Sequence, residues 1–184
     1  MSEIVVSLFD ARDGRTAQSR LKEAVDDFSR EHRVEFSQGK VLYAEGGKPY
    51  LEGRAVEISI SHSGDLWGCA LSKEPVGLDI QLIREKGIRS VAKRFFHPDE
   101  YRYLQETGFS EFFALWTAKE SYVKFTGEGI TDDFSSFSVV DSQGFLRCVN
   151  GAELELIPFL PEYRICICAK RISGLTVKDK REER

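Results

Sequence analysis

Between Pro75 and Leu82 the aliphatic residues Val76, Leu78, Ile80 and Leu82 alternate with Gly77, Asp79 and Gln81. A period of two predicts a strand with aliphatics on one face and two oxygen-bearing side chains on the other. The same alternation predicts strands near Glu3 to Phe9, Val41 to Ala44, Val56 to Ile60 and Leu66 to Leu71. Gly, Pro and Ser turns separate them, which makes a mostly antiparallel first sheet. Helical spacing of Ala17, Leu21, Ala24, Val25 and Phe28 predicts a helix over about Thr16 to Ser29, with that stripe inward. Further helices are predicted over Ile88 to Phe95, Pro98 to Gln105 and Ser110 to Phe125. Strands near Ser136 to Val140, Phe145 to Val149, Glu153 to Ile157 and Arg164 to Ala169 complete the order. Alternating blocks of strands and helices predict an α+β fold in two lobes, residues 1–86 and 87–172, with a ligand site in the cleft between them. The polar, charged stretch 173–184 is predicted to be a flexible tail.

Composition narrows the classes. A chain of 184 residues, 41% hydrophobic, builds one substantial core or two small lobes. The formal net charge of −4, without clustered basic and aromatic residues, argues against nucleic-acid binding. The apolar run Ile4 to Phe9 is too short to span a membrane and is framed by Glu3 and Asp10, unlike a secretory leader, so no membrane and a cytoplasmic address are expected. Cys69, Cys148, Cys166 and Cys168 sit in strand-like runs and read as small buried residues. One C-x-C lacks the second chelating pair that a zinc site needs.

Candidate chemistry gathers on three elements. Phe113, Trp116, Glu120 and Val123 recur at helical spacing, which sets the Glu120 carboxylate on an apolar stripe. Lys124, four residues on, offers a partner, but an exposed pair of this kind is worth only about 0.3–0.5 kcal/mol. Both a solvated ion pair and a metal or phosphate site remain open from these residues alone. Asp is uncommon in mid-strand, so Asp79 and Gln81 favour a site there. Joined by Glu120, they would offer oxygen ligands suited to magnesium. Ile58-Ser59-Ile60-Ser61-His62-Ser63-Gly64 reads as a strand ending in a polar turn whose His62 suits phosphate binding or proton transfer. Gly47-Lys48-Pro49 supplies a rigid turn with one point charge.

Taken in order, Gly47-Lys48-Pro49, Ser61-His62-Ser63, Gly77-Leu78-Asp79-Ile80-Gln81 and the run Trp116 to Lys124 followed by Gly127-Glu128-Gly129 resemble the 4′-phosphopantetheinyl transferase family. The resemblance is to its larger, two-lobed branch, the surfactin-synthetase-activating type, and extends from Gly14-Arg15-Thr16 to the run Phe134 to Val139. It implies two similar lobes in a pseudo-two-fold arrangement and a monomeric chain. The implied reaction moves phosphopantetheine from coenzyme A to a serine of an acyl or peptidyl carrier protein. By the same resemblance Asp79, Gln81 and Glu120 hold Mg2+, and Glu120, Lys124 and His62 are catalytic. Arg15, Thr16, Lys48, Ser61, His62 and Lys124 contact the coenzyme. Gln81 stands where the motif usually carries Glu, which implies a more weakly held ion. A coenzyme A-binding protein without catalysis, and a phosphohydrolase using the same acids, are the rival readings. The basic residues Arg84, Lys86, Arg89, Lys93 and Arg94, running into Phe95-Phe96, read either as a docking patch for an acidic carrier or as one solvated helix face.

Overall fold

In the computed structural model, which describes residues 3–34, 41–43, 49–53, 55–84, 86–127 and 132–181, the first alternating run forms β1 (Glu3–Asp10). The stripe after it forms α1 (Ala17–His32), capped by the Thr16 hydroxyl, which accepts from the Ser19 amide at 3.1 Å. Next come β2 (Val41–Tyr43), β3 (Pro49–Leu51), β4 (Glu57–Ser63), β5 (Leu66–Ser72) and β6 (Val76–Leu82). Helices α2 (Ile88–Phe95), α3 (Pro98–Glu106) and α4 (Phe112–Thr126) follow. The remaining strands are β7 (Val140–Asp141), β8 (Gly144–Phe145), β9 (Cys148–Val149), β10 (Ala152–Ile157), β11 (Tyr163–Ala169) and β12 (Gly174–Asp179).

The architecture is α+β with mostly antiparallel sheets, as the periodicities predict. One sheet has six strands in the order β12-β1-β5-β4-β3-β2, another has four in the order β6-β11-β10-β9, and β7 and β8 form a two-stranded ribbon. Apolar faces explain how these pack. Ile4, Val6 and Leu8 of β1 meet Val76, Leu78 and Ile80 of β6 and Ile165 and Ile167 of β11, so the two larger sheets lie face to face. The opposite face of the six-stranded sheet, with Val5, Phe9, Ile58 and Trp67, is covered by Leu21, Ala24, Val25 and Phe28 of α1. On the opposite face of the four-stranded sheet, Leu154, Cys166 and Cys168 pack under Leu115 and Ala118 of α4.

Several expectations need correction. Residues 174–179 are β12 and no flexible tail: they pair in parallel with β1 from Glu3↔Gly174 to Leu8↔Asp179. The lysines that made the stretch look solvated are partnered on α1, Lys178 with Glu31 at 2.5 Å and Lys180 with Asp27 at 3.0 Å. Strands also interleave across residue 86, since β6 pairs with β11 and β12 with β1. Of the four cysteines, Cys148 is exposed, while Cys69, Cys166 and Cys168 are buried as expected.

The polar turn expected after Ile60 is instead the last part of β4, and its alternation matters. Ser59, Ser61 and Ser63 face β6, and their hydroxyls accept the amides of Leu78 at 2.8 Å, Ile80 at 3.1 Å and Leu82 at 3.0 Å. The amides of Gly77, Asp79 and Gln81 alternate toward β11, so without these serines the β4-facing amides of β6 would be buried and unpaired. A ladder of hydroxyls thus takes the place of a backbone ladder and ties one sheet to the other.

Candidate active site

Close packing of β6 against α4 sets the site. A Cβ built on Gly77 would stand 1.9 Å from the Ser121 carbonyl oxygen and 2.5 Å from the Phe125 amide nitrogen, so only glycine admits the helix this near. Two residues on, along the same face of the strand, Asp79 comes under α4 and is only 2% exposed. Three donors meet it: Ser61 Oγ at 2.9 Å and Lys124 Nζ at 2.8 Å on Oδ1, and Gln81 Nε2 at 3.0 Å on Oδ2. Lys124 Nζ also reaches the Ile60 carbonyl at 3.4 Å, which ties the helix to β4.

Glu120 stands one turn before Lys124 on α4 and is 7% exposed. Burial, reinforced by the negative charge of Asp79 and only partly offset by Lys124, pushes its carboxyl up to about 7. No hydrogen bond from a described residue satisfies it. A carboxyl with that value changes charge near neutrality, which is the property a general base needs.

The donor set fits a hard divalent cation. Among the described residues no three His, Cys, Asp or Glu side chains cluster. Two carboxylates and an amide oxygen at Gln81 are oxygen donors of the kind magnesium takes, alongside water and substrate phosphate.

Among the described residues, the other predicted ones make no hydrogen bond to this centre. His62 is exposed near the end of β4, directly opposite Trp67, which in turn pairs with Phe9. The Arg15 guanidinium lies 5.1 Å from the Phe9 ring centroid, so Arg15 and His62 share one row on the α1 side of the sheet, the face opposite Ser61. Arg15 is already paired with Asp13 at 2.7 Å and Glu23 at 2.6 Å. The buried Arg20 also holds Asp13, fixing the turn from which Thr16 caps α1. Lys48 and Glu128 lie outside the described residues.

Sequence reasoning missed the buried pair behind the site. Lys119 and Glu100 have fully buried side chains and meet at 3.0 Å. Glu100 also accepts the Val139 amide at 2.8 Å and the His97 amide at 2.9 Å, and Lys119 donates to the Phe137 carbonyl. Burial pushes Glu100 up and Lys119 down, and the partner's charge opposes each shift. The visible signal was the capping box His97-x-x-Glu100, obscured because histidine is not a usual cap. Phe96 needs a correction too. It is 5% exposed, 6.0 Å from Trp116 and 5.4 Å from Phe112 between ring centroids, so it is not available to a docking partner.

The model of the 4'-phosphopantetheinyl transferase superfamily matches residues 75–168, the stretch that contains Asp79, Glu120 and Lys124. The chain belongs to that superfamily. It is 42% identical over 140 residues to 4'-phosphopantetheinyl transferase gsp of Aneurinibacillus migulanus, covering 72% of this chain and 58% of that protein. To 4'-phosphopantetheinyl transferase Sfp of Bacillus subtilis (strain 168) it is 34% identical over 152 residues, 77% of this chain and 67% of Sfp. A 4'-phosphopantetheinyl transferase of Bacillus subtilis is 35% identical over 136 residues, 68% of this chain and 60% of that relative. The match therefore spans about three fifths of the length of most of these relatives. Within the matched stretch Asp79 lies on β6 and Glu120 and Lys124 on α4, two elements that Gly77 lets pack closely. No helix among the described residues is long and apolar enough to cross a membrane.

Proposed function

We propose that this chain transfers the 4′-phosphopantetheine group of coenzyme A to a serine hydroxyl of an apo acyl or peptidyl carrier protein, releasing adenosine 3′,5′-bisphosphate. The observation that carries the reading is the convergence of Asp79, Lys124 and a Glu120 carboxyl poised at about 7 where β6 meets α4. The carrier serine oxygen forms a bond to the pantetheine-bearing phosphorus, and the phosphorus–oxygen bond to the nucleotide phosphate breaks. Glu120 takes the serine proton, directly or through one water, a contribution of about 10²–10⁴-fold. Asp79 and Glu120, with the Gln81 amide oxygen, would hold Mg2+. When bound, the ion supplies charge neutralisation at the pyrophosphate. It would also pull Glu120 back toward ordinary carboxylate values, so the ligand and base roles compete at that residue.

Lys124 is placed to hold phosphate oxygens beside Asp79, and His62, Arg15, Thr16 and Lys48 complete the coenzyme contacts. The exposed basic residues of α2 would steer an acidic carrier, with Arg89 stacked 4.7 Å from the Phe109 ring centroid. A monomer in the cytoplasm, with two pseudo-symmetric lobes, completes the reading.

The test is to incubate the chain with coenzyme A, Mg2+ and an apo carrier and weigh the carrier intact. A phosphopantetheine-sized gain is expected. Nucleotide released without a carrier would instead identify a phosphohydrolase, and coenzyme binding with neither outcome a non-catalytic binder.

A further inference from the structure

We propose that Lys124 and the divalent cation exclude one another at Asp79, so that coenzyme phosphate, by drawing the lysine away, makes room for the ion and couples the two binding events. The inference rests on the transferase reading for two assignments, the cation at Asp79 and coenzyme phosphate at Lys124. Asp79 is already neutralised from within the chain. Its Oδ1 accepts Ser61 Oγ at 2.9 Å and Lys124 Nζ at 2.8 Å, and its Oδ2 accepts Gln81 Nε2 at 3.0 Å. A carboxylate oxygen has two lone pairs, so Oδ1 is fully engaged. The residue is only 2% exposed, so water screens its charge poorly and the ammonium beside it supplies the compensation. A dication on either oxygen would share one carboxylate with that ammonium, and like charges so close repel strongly where water is excluded.

Of the three donors, Lys124 is the one built to leave. Its side chain is 30% exposed, and its other hydrogen bond among the described residues is a long one, 3.4 Å to the Ile60 carbonyl. Ser61, by contrast, is fixed by the Ile80 amide that its oxygen accepts at 3.1 Å. An ammonium on a four-carbon stem is a mobile point charge that follows whichever anion is offered. Phosphate oxygens arriving beside Asp79 offer it a second anion. Once Lys124 turns to them, Oδ1 regains a lone pair and Asp79 an uncompensated charge, which is what a hard cation needs. A ligand whose site is competent only part of the time loses affinity in proportion to that fraction, so without coenzyme the lysine should weaken cation binding about tenfold or more. Linkage makes the effect reciprocal, with coenzyme and cation each tightening the other by the same factor. Deleting a residue of the site is therefore expected to improve its hold on the metal.

The experiment measures Mn2+ binding by electron paramagnetic resonance in the native chain, in Lys124→Met and in Arg164→Gln. Arg164 controls for charge alone: it lies directly opposite Gln81 on the neighbouring strand, but its guanidinium bonds the Pro161 and Tyr163 carbonyls at 3.1 and 3.0 Å. Without coenzyme, Lys124→Met is expected to bind Mn2+ about tenfold more tightly than native or better, and Arg164→Gln to stay within about threefold of native. In the native chain, coenzyme A is expected to tighten Mn2+ binding. If Lys124→Met does not fold, Lys124→Gln keeps a neutral donor for Asp79, and a gain in Mn2+ affinity is again expected. Unchanged or weaker Mn2+ binding in the Lys124 variant, an equal gain in Arg164→Gln, no tightening by coenzyme A, or no Mn2+ bound by any of the proteins each overturns the proposal. Carrier modification, weighed separately, tells the two readings apart. A chain that shows the expected Mn2+ pattern but modifies no apo carrier refutes the transferase reading and leaves the competition at Asp79 standing, whereas a working transferase whose Mn2+ affinity ignores Lys124 refutes the competition alone.

Discussion

Replacing Glu120 with Gln is expected to make the protein more stable while abolishing transfer. In the folded chain the carboxyl titrates at about 7, against an ordinary 4.5, because burial and the Asp79 charge favour its neutral form. A difference of that size corresponds to ~3 kcal/mol of preference for the protonated carboxyl. The folded state therefore binds this proton more tightly than the unfolded state, and stability falls as pH rises from about 4.5, the whole penalty being present above about 7. Glutamine cannot ionise and fills nearly the same space. At pH 8 the variant should gain ~1–3 kcal/mol, less than the full figure because the site relaxes around the charge, and at pH 4 the difference should vanish. For a chain of this size such a gain raises the melting temperature by ~2–10 °C. The assay is guanidinium unfolding of both proteins at pH 4, 6 and 8 in EDTA, alongside intact-mass measurement of a carrier with Mg2+ restored. Equal stabilities at pH 4 and pH 8, or a folded variant with near-native turnover, would falsify the environment and the role assigned to Glu120.

Three further changes probe the surroundings. Gly77→Ala puts a Cβ against the backbone of α4 at 1.9 Å and should cost ~3 kcal/mol or more in urea unfolding, whereas Gly174→Ala, whose Cβ would meet Glu3 Cγ at 3.6 Å, should cost less than ~1 kcal/mol. Gln81→Glu adds a charged oxygen beside Asp79 and should lower the Mg2+ concentration for half-maximal rate; an unchanged titration in a folded variant means that residue 81 points away from the ion. Lys119→Met leaves Glu100 buried without its cation and should cost ~3–5 kcal/mol in thermal unfolding, and adding Glu100→Leu should not restore it, because the His97 and Val139 amides then lose their acceptor.

Legibility from the sequence followed periodicity. The strand Val76–Leu82 and the helix Ile88–Phe95 coincide with their predicted spans because alternation and a helical stripe are local signals. Helical spacing offers Lys124 to Glu120, but it pairs with Asp79, because which acid it reaches depends on how closely β6 packs against α4. What could not be read depended on partners distant in sequence. β12 looked like a solvated tail because Lys178 and Lys180 find their acids on α1. The Glu100–Lys119 pair could not be read because nothing local says that α3 and α4 bury these residues against each other. Ser61 and Ser63 of β4 read as a turn because small polar residues usually mark one, and the amides they accept lie on β6.

The parallel pairing of β12 with β1 has a consequence for how the chain is made. Emerging from the ribosome, β1 can find β5 early, but its other edge has no partner until β12, which begins at Gly174, has been synthesised. For that interval an apolar strand with Ile4, Val6 and Leu8 offers open amides and carbonyls to any neighbouring nascent chain. Pairing β1 with β12 also gives the six-stranded sheet a long closure loop, which slows its completion. Yield in cells is therefore expected to depend on β12, well away from Asp79 and Glu120.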